Sequence, residues 1–149
     1  MIHLRVWGFG HNPSGSGEND KSKLFIKYGF VSLGWEKHDE FYELISNMEK
    51  GDLIYLKKWF PRQGDIIEIN AIGIVKATDY DTTAIQDESL KGHKAVAVAW
   101  IKDFSDNPVR FMPNNENWRK GINRFNSIYL ETKEEILDNL IELLDINQN

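Results

Sequence analysis

Leu53-Ile54-Tyr55-Leu56-Lys57-Lys58-Trp59 and Ile66-Ile67-Glu68-Ile69-Asn70-Ala71-Ile72-Gly73-Ile74-Val75-Lys76-Ala77 are two apolar, β-branched runs, with Pro61-Arg62-Gln63-Gly64-Asp65 between them. Runs of this composition read as strands, and the Pro/Gly/Asp segment as the turn of a hairpin. Upstream, Gly51-Asp52 is a turn. Phe41, Leu44, Ile45 and Met48 recur at spacings of three and four, which predicts a helix over 38–49. Residues 30–35 read as a strand. Asp20 is placed to cap a short helix through Lys27, with Gly29 just past its end. Residues 10–20 form a Gly/Ser/Asn-rich loop after a first strand at 2–8.

Downstream, residues 94–102 alternate, with Ala95, Ala97 and Ala99 on one face and Val96, Val98 and Trp100 on the other. Short strands follow near 108–112 and 127–131. Thr132-Lys133-Glu134-Glu135 reads as a capping box, and Ile136, Leu140, Leu143 and Leu144 form one face of a final helix. Residues 146–149 are expected to fray. Strands dominate and about three helices fall between them irregularly. That is not a βαβ alternation, so an α+β protein on a curved sheet or small barrel is expected.

The 149 residues are read as one domain, with 41% hydrophobic and 28% charged residues. There is no apolar run near the roughly 18 residues that span a membrane. Met1-Ile2-His3-Leu4-Arg5-Val6-Trp7 lacks the basic-then-apolar order of a signal peptide. The lack of cysteine removes disulfides and thiolate metal sites and fits a cytoplasmic protein. A net charge of −5 argues against broad phosphate-backbone binding, yet allows a local patch. Lys57-Lys58-Trp59-Phe60-Pro61-Arg62 is such a patch, and Lys91, His93 and Lys94 form a weaker one.

Catalytic and metal chemistry find little support. His3, His11, His38 and His93 are scattered, with no metal-ligand spacing. Ser14-Gly15-Ser16-Gly17 lacks the Gly-Lys-Ser/Thr ending of a phosphate loop, and Gly8-Phe9-Gly10 lacks the third glycine of a dinucleotide fingerprint. There is no Gly-x-Ser-x-Gly elbow. Neither a metal nor a cofactor is expected.

The aromatic residues are more informative. Trp35 follows Gly34 at the end of the strand Phe30-Val31-Ser32-Leu33, where a flat ring can approach. Trp59 and Tyr80 also fall near strand ends or turns. Two facing rings can hold one extruded base, each stack contributing roughly 1–3 kcal/mol. Trp7 and Trp100 lie inside alternating strands and read as core. Trp118 is a surface contact or a packing lid.

Order and spacing along nearly the whole chain resemble the superfamily of EVE, YTH and PUA-like domains. Met48-Glu49-Lys50-Gly51-Asp52-Leu53-Ile54-Tyr55 resembles an EVE stretch, as do Ala71-Ile72-Gly73-Ile74-Val75 and the later Tyr80-Asp81. Leu33-Gly34-Trp35 resembles the Gly-Trp element of YTH domains and of recognition domains in modification-dependent restriction systems, where the tryptophan is a wall of the modified-base pocket. Ala97-Val98-Ala99-Trp100-Ile101-Lys102-Asp103 and Pro113-Asn114-Asn115-Glu116-Asn117 are similar to YTH segments. Arg124 sits where the family has a phosphate-contacting arginine, but Phe125 follows it in place of Asp. No Trp lies between 78 and 93 to form the family's second wall, which leaves Tyr80 or Trp59 for that role. Asn12 is the rough counterpart of the family's N-terminal asparagine.

The resemblance implies a strongly curved mixed sheet or PUA-like pseudo-barrel with about three packed helices. It also implies a non-catalytic reader of a modified, flipped-out base in DNA or RNA. Trp35, Trp59, Tyr80, Gly34, Ser32 and Asn12 are the expected ligand-binding residues, with Lys57, Lys58, Arg62 and Arg124 on the nucleic-acid backbone. A nuclease or helicase encoded elsewhere is a natural partner for a stand-alone reader. Two other readings stay open: a small-molecule or nucleotide-binding regulatory domain using the same pocket, and an adaptor subunit of a defence or RNA-modification complex. Oligomeric state is open as well.

Overall fold

The computed structural model describes residues 5–10, 22–32, 39–60, 66–82, 95–111 and 128–144; side chains at 39–42, 59, 60 and 111 are outside the description. The elements are β1 (Val6–Gly10), α1 (Ser22–Tyr28), β2 (Phe30–Ser32), α2 (Asp39–Ser46), β3 (Leu53–Phe60), β4 (Ile66–Ala77), β5 (Ala95–Asp103), β6 (Val109–Phe111), β7 (Ile128–Leu130) and α3 (Glu134–Leu144). The strands form one mixed sheet in the order β2-β5-β4-β3-β1-β7, with β6 also on β4. Only the β1–β3 pair is parallel among these ladders. The sheet curls into a half-barrel with three helices among the described residues, an α+β pseudo-barrel as expected.

β4 is the spine, and its irregularities make the curl. It pairs with β3 from Leu53↔Ile74 to Phe60↔Ile66, with a register shift between Leu56 and Lys57. Leu56 faces Ala71 while Lys57 faces Ile69, so Asn70 is the extra, bulged residue. Its carbonyl accepts the Phe104 N–H at 2.7 Å. That bond marks where β5 gives way to β6 along the same edge of β4. Two further shifts interrupt the β4–β5 ladder. Bulges raise local twist, which is what a sheet needs in order to curl.

The core has two parts, one on each face. On one face Trp7, Phe9, Ile54, Leu56, Ala71, Val75, Val96, Val98 and Ile128 meet Phe25 of α1, Phe30 and Val31 of β2, and Ile45. On the other, Val6, Leu53, Tyr55, Ile69, Ile72 and Tyr129 meet Ile136 and Leu140 of α3. The period of two along β1 and β3 deals successive residues to opposite faces. Gly73 lies under this packing: a Cβ there would meet Val98 Cγ1 at 2.5 Å and Trp100 Cε3 at 2.8 Å. Trp7 is core as read from the sequence, whereas Trp100 is half-buried, its indole N–H donating to the Phe25 carbonyl at 2.9 Å.

Two turns set the ends of elements. Gly29 closes α1 with φ +72° and donates its N–H to the Phe25 carbonyl at 2.9 Å, so the chain passes at once into β2. Gly51 takes φ +97° before β3 and bonds the Val75 carbonyl. The start of α3 differs from the expected capping box. The Glu131 carboxylate, not Thr132, accepts the N–H groups of Thr132 and Lys133, because Glu131 is buried at the end of β7 and lies closer to these open donors.

Candidate functional site

The Gly-Asp turn is a structural hub. Asp52 Oδ2 accepts the Trp7 indole N–H at 2.9 Å, Arg5 Nη2 at 2.9 Å and the Glu49 N–H at 2.9 Å. The Arg5 guanidinium also lies 5.5 Å from the Trp7 ring centre. These contacts tie β1 to the entry of β3. On the opposite face, the Tyr55 hydroxyl donates to Glu131 Oε1 and bonds the Tyr129 hydroxyl at 2.7 Å. Burial pushes both phenols up from their ordinary value, with the Glu131 charge raising them further. Both of these polar clusters are satisfied from within.

The end of β2 is different. Phe9, Phe25 and Phe30 form an edge-to-face chain with ring centres 6.0 and 5.2 Å apart. Tyr80 then stacks on Phe30, ring centres 4.8 Å apart and planes 6° from parallel. The Tyr80 hydroxyl donates to the Tyr28 carbonyl at 3.3 Å. Two residues along β2 from Phe30 lies Ser32, only 3% exposed. Among the described residues, the Ser32 hydroxyl is a buried side-chain polar group with no hydrogen-bond partner. An unmade bond at such a group costs roughly 1–3 kcal/mol.

The structure thus places Tyr80 on Phe30, two residues along β2 from Ser32, on the strand that leads into Leu33-Gly34-Trp35. It does not bring Trp59 there. Ser32 faces Ala95 on β5, and Ala97 faces Ala77 at the C-terminal end of β4. The Trp59 backbone faces Ile67, near the other end of β4. At about 3.3 Å per residue, roughly 30 Å of strand separates the two places, too far for one base to touch both. Lys57 is also repositioned: it is 2% exposed, with Nζ 4.5 Å from the Tyr129 ring centre, because strand alternation puts it on the α3 face with Tyr55. Burial takes it out of the set that can meet a solvated phosphate. Lys58, the next residue, points to the opposite face. Trp35, Gly34, Asn12, Arg62, Arg124 and Trp118 lie outside the described residues, as does the side chain of Trp59.

Sequence reasoning missed a second polar group on the face that carries Tyr80. Glu68, 4% exposed, accepts Asn70 Nδ2 at 3.0 Å and Arg110 Nε at 3.1 Å. The available signal was Glu68 and Asn70 themselves, two polar residues inside an apolar strand. Among the described residues no cluster of His, Cys, Asp or Glu could hold a metal ion, and no helix is long and apolar enough to cross a membrane.

No protein-family model matches the chain, and no curated protein matches it by sequence. Solved structures do. The YTH domain of the Zygosaccharomyces rouxii MRB1 protein, in complex with N6-methyladenosine RNA, superposes with a TM-score of 0.56 at 17% identity. That match covers 98% of this chain and 92% of the other. The Pho92 YTH domain in complex with N6-methyladenosine gives 0.52 at 16% identity, over 100% of this chain and 90% of the other. The half-barrel is therefore a YTH-like fold, one of those the sequence motifs indicated.

Proposed function

We propose that this protein is a non-catalytic nucleic-acid-binding module that reads a modified, flipped-out base. The observation that carries the reading is the fold: over nearly its whole length it matches YTH domains described with N6-methyladenosine, one of them on RNA. The Ser32 hydroxyl supports a location for the pocket. It is a buried donor and acceptor with no partner among the described residues, at the strand that enters Leu33-Gly34-Trp35. A base edge bonding to it would recover the cost of the unmade bond. Tyr80 stacks on Phe30, two residues along β2 from Ser32, and Trp35 with Tyr80 is the pair we assign to the base. Trp59 is left out, since its backbone lies at the far end of β4. Modified RNA is the favoured ligand, and modified DNA is the alternative.

Tryptophan fluorescence tests the reading. Short single-stranded RNAs carrying one N6-methyladenosine, and matched adenosine strands, are titrated into the protein at low salt. Quenching that saturates with the modified strand at much lower concentration is the expected result. Trp35→Ala abolishes that preference while the circular-dichroism melt stays cooperative. Equal response to both strands refutes base reading, and loss of folding in Trp35→Ala makes that residue core.

A further inference from the structure

We propose that Arg110 and Lys58 form a phosphate clamp for a nucleic-acid backbone, set on a buried template of Glu68 and Asn70. The clamp rests on the base-reading proposal and names a backbone contact that its pocket does not include.

The sheet register builds the clamp. Lys58 on β3 faces Glu68 on β4, and Glu68 faces Arg110 on β6. Directly opposed residues of antiparallel strands share a face, and neighbouring strands lie about 4.8 Å apart. The two cations therefore flank one carboxylate, their Cα atoms about 10 Å apart. The Asn70 bulge makes room for β6 at this place on β4.

The charges are unequally buried. The Glu68 side chain is 5% exposed and that of Arg110 is 59% exposed. Glu68 is held on both oxygens, by Asn70 at 3.0 Å and by Arg110 Nε at 3.1 Å. Of the five guanidinium N–H donors, this takes one. No bond from its terminal nitrogens to a described residue accompanies this one, and the side chain as a whole is largely exposed. A carboxylate holding Nε fixes the plane of the guanidinium, so the remaining donors are oriented before any ligand arrives. Such pre-orientation suits Arg to phosphate. A buried ion pair contributes little net stability compared with apolar packing, so stability alone is a weak reason for this arrangement. Two cations against one carboxylate leave the row net positive in a chain of net charge −5. Glu68 and Asn70 are positioning residues; Arg110 and Lys58 make the contact.

The test is the salt dependence of binding for the full chain, with the same N6-methyladenosine and adenosine RNA strands. Each phosphate contact adds about 0.7 to the slope of log affinity against log salt for a single strand. Arg110→Gln is expected to reduce the slope by about that amount. It weakens both strands alike, so the ratio between them is retained. Arg110→Lys keeps most of the slope. Lys58→Gln, which leaves the Glu68–Arg110 pair in place, reduces it as well and serves if Arg110→Gln fails to fold. Binding with an unchanged slope in both Gln variants overturns the clamp and leaves base reading standing. A wild-type protein that binds neither strand overturns both.

Discussion

The corner around Asp52 and the end of β2 are both buried and both hold polar side chains, yet they are organised in opposite ways. Asp52 is filled from inside the protein: a charged guanidinium, an indole N–H and a backbone N–H converge on one carboxylate oxygen. Ser32 has no partner among the described residues. A polar group that is fully bonded within the fold holds strands together. One that is buried and unbonded lowers stability and is open to a ligand. On the proposed function, the contrast separates residues that hold this fold together from one that would meet the base.

The largest expected effect breaks the satisfied corner. Asp52→Ala leaves Arg5 and the Trp7 indole without their acceptor, and a loss of about 3–5 kcal/mol is expected by urea unfolding. Gly8→Ala comes next. A Cβ at Gly8 would meet the Tyr129 ring at 2.4 Å, so overpacking of about 1–3 kcal/mol is expected, seen as a lower Tm. Tyr55→Phe strips Glu131 of a hydroxyl donor and costs about 1–2 kcal/mol in the same measurement.

A pH series probes the same buried network. Tyr55 and Tyr129 are both pushed up from the ordinary value of 10.0. In the unfolded chain they release protons near that pH, while in the folded protein they retain them. Above it the folded state thus binds more protons than the unfolded one, and stability falls as pH rises. Tm is expected to be flat with respect to these groups below about pH 9 and to drop beyond pH 10, with a shallower drop in Tyr129→Phe.

The smallest effect on stability sharpens the comparison most. Ser32→Ala removes a buried group that bonds no described residue, so the melt is expected to stay within about 0.5 kcal/mol of wild type or to rise. The same variant weakens the modified strand about tenfold in the fluorescence titration, equal to about 1.4 kcal/mol. A Ser32→Ala protein that is destabilised by as much as Tyr55→Phe would erase the distinction between the two regions.

Much of the fold was legible in the residues. The runs read as strands at 53–59, 66–77, 94–102, 108–112 and 127–131 are observed at Leu53–Phe60, Ile66–Ala77, Ala95–Asp103, Val109–Phe111 and Ile128–Leu130. Alternation of apolar residues between Pro- and Gly-rich turns carries that information locally. The candidate site was less legible. Ser32 and Tyr80 were named from the sequence, but nothing local says that Phe30 braces Tyr80, or that Trp59 lies at the opposite end of β4. Lys57 looked as exposed as Lys58; the two point to opposite faces of β3, and only the tertiary packing buries Lys57 against Tyr129.

By itself, the sequence determined which segments are strands and where the chain turns, and its motifs pointed to the fold that is observed. These follow from periodicity and from residues with restricted backbone choices, which act over a few neighbours. Tertiary structure alone decided which polar residues would be satisfied. Asp52 meets Trp7, Glu131 meets Tyr55, and Glu68 meets Arg110 across separations of 45, 76 and 42 residues. Such partners are set by strand register and bulges, long-range properties of the curled sheet, and so is the lack of a partner for Ser32 among the described residues.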